Sequence, residues 1–123
     1  MRDDPARILI IGGDDCTITV HFYDPENPGK QLICSEDKVI LSIHAYDEVI
    51  LTTTGTVSAD SNDCMFTITG RQTADLQERS RGREHFYHYC VHIYWAGGGR
   101  STPIYNAPFE ILPCPDAPGG VGT

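Results

Sequence analysis

Three residues in one short stretch carry donor atoms that could do chemistry. His88, Cys90 and His92 stand at i, i+2 and i+4 within EHFYHYCVHIYW, residues 84–95. Imidazole nitrogen and thiolate sulfur suit Zn²⁺ and its neighbours. The stretch alternates, with Tyr87, Tyr89, Val91 and Ile93 on one face and His88, Cys90, His92 and Tyr94 on the other, which is the period of a strand. Same-face neighbours lie ~6.5–7 Å apart along a strand, so His88 and His92 are ~13 Å apart and cannot ligate one ion together. Cys90 and one histidine could share an ion if a neighbouring strand brought His21 or His44 alongside. Tetrahedral sites show closer paired ligands, so no metal and no cofactor is expected. The face reads instead as half-exposed sheet, or as sheet covered by a neighbouring subunit. In the second case His88, His92 and Tyr94 are interface residues, and the histidines are pH-sensitive contacts.

Other candidates are explained by turn and loop chemistry. Arg79, Arg81 and Arg83 form a basic patch in an acidic chain. It is either a solvated loop or a contact to an acidic neighbour, such as a second copy of the chain, offsetting like-charge repulsion. Gly97-Gly98-Gly99 lacks the Lys-Ser/Thr of a phosphate loop and opens no helix, so it reads as a hairpin tip. Asp14, Asp15, Asp60 and Asp63 lack EF-hand spacing and fit turns. Cys16 and Cys90 do not fit an inter-sheet disulfide, because Cys90 is out of phase with the apolar face of its strand, and Trp95 ends a late strand. No nucleophile elbow or paired carboxylates in a cleft can be read, so no catalytic residue is assigned and an enzyme is not expected.

The elements that must hold these residues are mostly strands. Ile8–Ile11 is a short apolar run. Cys16–Tyr23 alternates with Cys16, Ile18, Val20 and Phe22 together. Lys38–Tyr46 places Val39, Leu41, Ile43 and Ala45 on one face, and Asp47-Glu48 connects it tightly to Val49–Thr54. Gly55 marks a bend before Thr56–Ala59, and Cys64–Thr69 alternates again. Thr73–Arg79 predicts a turn or two of helix capped by Thr73. Pro103 and Pro108 confine the last strand, around Tyr105 and Phe109–Leu112, to an edge or break it in two. About seven antiparallel strands with one short helical turn predict an all-β sandwich over residues 1–113, followed by a Pro/Gly-rich tail over 114–123 without a core pattern.

Composition bounds the function. The chain has 123 residues, enough for one domain, and a formal net charge of −8. That charge argues against a nucleic-acid partner, since phosphate binders work through Lys and Arg. The longest apolar run is four residues, far short of a membrane span, so no membrane partner is expected. Met1–Pro5 is acidic where a signal peptide is basic, which predicts synthesis in a cytoplasm. Five widely spaced cysteines without a CxxC read as reduced, structural thiols.

The order of these signals carries a resemblance. IGGDDCTITV (11–20) comes first, and GTVSAD (55–60), Cys64–Thr69 and TADL (73–76) follow. YHYCVHI (87–93), the glycine tip and PFEILP (108–113) close the chain. Taken together, they resemble the small immunoglobulin-like β-sandwich domains of tailed-bacteriophage structural proteins. Those are typified by the N-terminal domain of upper baseplate proteins and by related tail and neck accessory proteins. The likeness spans about residues 10 to 113. It implies a non-enzymatic virion protein of the tail, baseplate or neck, whose partners are copies of itself and other virion proteins. A capsid decoration (cement) protein is the nearest alternative. A cytosolic small-molecule or peptide binding module is an alternative of another class, and a metal-dependent enzyme built on the histidine strand is a weaker one.

Overall fold

A computed structural model describes residues 6–27, 29–58, 61–81, 83 and 85–113. The predicted tail over 114–123 lies outside them. Among the described residues eight strands and one helix follow in the order β1 (Ile8–Ile11), β2 (Cys16–His21), β3 (Lys38–Ala45), β4 (Glu48–Thr54), β5 (Thr56–Ser58), β6 (Asp63–Ile68), α1 (Gly70–Arg79), β7 (Tyr87–Tyr94) and β8 (Arg100–Leu112). They form a five-stranded sheet ordered β1-β8-β7-β3-β4 and a three-stranded sheet ordered β2-β6-β5. The all-β expectation holds. The all-antiparallel one does not, because β1 pairs with β8 in parallel.

Alternation sets the registers. Leu41 stands opposite Val91 and Ile43 opposite Tyr89 on the inner face of the β3–β7 pair. Ile18 stands opposite Phe66 in the β2–β6 pair. A slip of one residue would turn each of these side chains to the outer surface. The inward residues of both sheets, with Leu76 of α1, belong to a single core cluster.

Gly55 is where the chain leaves one sheet for the other, between β4 and β5. A Cβ there would stand 2.2 Å from Cys64 Sγ and 2.7 Å from the Phe66 ring, so only glycine lets the crossing strand press on the core. The helix is longer than the predicted turn or two, and it starts earlier. Thr69, not Thr73, caps it, in a reciprocal capping box with Gln72. Thr73 is instead fully buried inside the helix. Its hydroxyl accepts from the Gly13 amide at 2.9 Å and donates to the Asp14 carbonyl at 2.8 Å, tying α1 to the β1–β2 turn.

The last strand is continuous over thirteen residues, not broken by its prolines. Pro103 lies in the half of β8 that forms a sheet edge, and β1 begins pairing at Phe109, one residue past Pro108. Missing proline donors therefore cost no ladder bond to β1. Two register shifts against β7 absorb the extra residues.

Candidate functional site

The outer face of β7 meets β3 on one side and β8 on the other. His88 is directly opposite His44, Cys90 opposite Ser42, and His92 opposite Ile40. The neighbouring strand anticipated for a Cys–His contact is thus β3, and the residue is His44 rather than His21. His21 sits on β2 in the other sheet, bonded through Nδ1 to Asp63 at 2.6 Å. That bond holds the Asp63 carboxyl below the usual carboxylate range.

Cys90 faces outward, as its phase requires, yet it is buried at 6% exposure. His44 Nε2 stands 3.6 Å from its Sγ, and the Asn106 amide donates to the same sulfur at 3.4 Å. Two β-bulges flank this point on the neighbouring strands. Between Ile43 and His44 the register on β4 skips Ile50, and between Tyr89 and Val91 the register on β8 skips Tyr105 and Asn106. Asn106 takes a φ of 53°, which turns its amide toward the sulfur. On the other side, Tyr46 has a φ of 56°, and its carbonyl lies 3.3 Å from His44 Nδ1. With Nδ1–H donating to that carbonyl, the Nε2 lone pair is the one aimed at Cys90.

The His88 ring stacks on His44 with centroids 6.3 Å apart. His92 is held apart from this group by a 2.9 Å bond between Nδ1 and the Thr102 hydroxyl. Burial first, and Arg100 second, push the His92 imidazole below its ordinary value. Tyr94 ends the face, partly exposed and opposite Lys38. Among the described residues no three His, Cys, Asp or Glu side chains stand placed to hold a metal ion.

The arginines sit on a different element. Arg79 pairs with Asp75 at 2.8 Å and Arg81 pairs with Glu78, both within α1 or its end. Arg83 lies over the Phe86 ring at 5.0 Å. Exposed intrahelical pairs of this kind contribute little to stability. Their acidic partners partly neutralise the basic patch, and only Arg83 points its charge at an aromatic. Arg81 and Arg83, with His85, Phe86 and Glu110, line a groove of about 450 Å³ at this end of the molecule. Glu110 is already engaged by Arg7 and approached by His85.

The four described cysteines are all free. Burial raises the Cys16 thiol and pushes Cys64 up to about 11. The Glu36 carboxylate, followed by Asp37, raises Cys34. None of these three is a thiolate at neutral pH, so none is poised as a nucleophile. Sequence reasoning missed two polar tips: the Tyr87 hydroxyl, which donates to the Leu76 carbonyl at 2.8 Å, and the Tyr89 hydroxyl, which donates to the Ala6 carbonyl. Both tyrosines alternate like ordinary core residues, and only the ends of the sheet bring backbone acceptors to their hydroxyls. No protein-family model matches the chain, and no curated protein matches it significantly in sequence.

Proposed function

We propose that the chain is an immunoglobulin-like β-sandwich acting as a non-enzymatic assembly module, and that it belongs to the tail, baseplate or neck of a tailed-phage virion. Three features support the fold assignment. The β2-β6-β5 sheet corresponds to strands B, E and D of such a sandwich. The β8-β7-β3-β4 set corresponds to G, F, C and C′, with β1 added in parallel beside G. Tyr87, at the start of the F-like strand, bonds back to the backbone of the preceding helix, as a tyrosine corner does. The virion assignment rests on the motif order described above.

One observation carries the docking role. β1 is the edge of the five-stranded sheet, and Leu9 and Ile11 point outward from it beside Leu112, at 50%, 41% and 45% exposure. Natural edges are usually blunted by charge or proline, and Ile8–Ile11 contains neither. An apolar edge of this kind takes up a further strand or packs against a neighbouring chain. The partners are other copies of the chain and other virion proteins. The test is light scattering of the full chain, together with imaging of any particle that contains it. Oligomers or particle incorporation are expected, and Ile11→Lys should reduce both. A monomer absent from all particles would end this reading, and location in the head lattice would replace the tail by a capsid decoration role.

A further inference from the structure

We propose that Cys90 and His44, joined by His88, form a binding site for one divalent cation of the Zn²⁺ class on the outer face of the five-stranded sheet. Two ligands held on one tetrahedral ion at ordinary Zn–N and Zn–S lengths stand about 3.5–3.6 Å apart. His44 Nε2 and Cys90 Sγ are 3.6 Å apart. A plain thiol–imidazole hydrogen bond fits the same distance, so the surroundings decide. The Tyr46 carbonyl engages His44 Nδ1 and leaves Nε2 as the donor atom, an arrangement common behind metal-bound imidazoles. The Asn106 amide donates to Sγ and so stabilises a metal-bound thiolate. Both of these backbone groups belong to positive-φ residues, and bulges flank the pair on both neighbouring strands. Bulges re-aim side chains and concentrate beside functional sites.

His88 supplies the third ligand. It is the direct cross-strand neighbour of His44, and its ring already lies alongside. Directly opposed residues have Cβ atoms about 4.5–5.5 Å apart, within which two imidazoles can reach a common ion once the His88 side chain turns. The site is therefore two-point as it stands and three-point when occupied, with water in the fourth position. Binding forms one S–metal and two N–metal bonds and releases the thiol proton to solvent, with no change of oxidation state. The ion would cross-link β3 to β7.

The test is a Co²⁺ and Zn²⁺ titration of the full reduced chain carrying Cys34→Ser and Cys114→Ser, which removes two competing thiols. The expected result is 1:1 binding, a thiolate-to-cobalt charge-transfer band, and a rise in thermal midpoint with Zn²⁺. Cys90→Ser and His44→Gln should each abolish the band. His88→Ala, at a half-exposed position that does not threaten folding, should weaken binding at least several-fold. His92→Ala should leave it unchanged, because that ring is occupied by Thr102. Absence of the band in the parent chain, or its survival in Cys90→Ser or His44→Gln, overturns the site. Unchanged affinity in His88→Ala overturns the three-ligand closure, and lost affinity in His92→Ala overturns the placement.

Discussion

The two faces of β7 differ in how they satisfy polar groups. On the inner face Tyr87, Tyr89, Val91 and Ile93 are at most 4% exposed, and the last three stand across from Ile43, Leu41 and Val39 of β3. The tyrosine rings fill the core while their hydroxyls reach backbone carbonyls at its margin, so no polar atom is stranded. On the outer face His88, Cys90 and His92 find partners sideways, on β3 and β8. The same eight residues thus build rigid packing on one side and a cross-strand donor cluster on the other. Because β7 is central and pinned by its inner face, the outer donors are held in place without a packed layer of their own.

The sharpest way to break this comparison is Tyr89→Ala, which should cost about 3–5 kcal/mol in urea denaturation, in the range of buried aromatic truncations. Gly55→Ala comes next. Its Cβ would collide with Cys64 and Phe66, and overpacking of that kind costs about 1–3 kcal/mol. Thr73→Val keeps the volume but strips two hydrogen bonds between α1 and the β1–β2 turn, for a loss of about 1–2 kcal/mol. The fourth concerns pH. His92 has a folded value below its unfolded one, so as pH falls the unfolded chain takes up the proton first. Its contribution is complete above about pH 6.5 and is lost as pH drops through the folded value. His92→Gln should flatten the decline in denaturation midpoint between about pH 8 and about pH 5, and an unchanged slope would assign that decline to another group. The smallest effect belongs to His88→Ala, within about 0.5 kcal/mol in metal-free buffer. If His88→Ala proved costlier than Tyr89→Ala, the two faces would have to be exchanged.

Much of the scaffold was legible because strand alternation is a local property. Val39, Leu41 and Ile43, like Cys64, Phe66 and Ile68, announce their buried face by spacing two apart, and all six are fully buried. The hairpin tip was legible for the same kind of reason, since Gly98 and Gly99 take φ of 106° and 92°. The helix start was misplaced because Thr69 and Thr73 are both good caps by type. What separated them was the Gln72 side chain folding back on Thr69, and a buried niche at the β1–β2 turn for Thr73. The parallel β1–β8 pair joins residues about a hundred positions apart, and no local pattern encodes such a pairing.

The candidate site divides along the same line. The amino-acid sequence alone determined that His88, Cys90 and His92 share a face and that His88 and His92, ~13 Å apart, cannot meet on one ion, because rise per residue is a covalent property. It also determined that Cys90 points away from the core. Only the tertiary structure decided which histidine reaches the sulfur, because that depends on β3 pairing with β7 in one register. It alone buried an outward-facing cysteine, whose sulfur is met by His44 of β3 and the Asn106 amide of β8. Direction along a strand is set by neighbouring bonds, whereas proximity across a sheet is set by the packing of the whole chain.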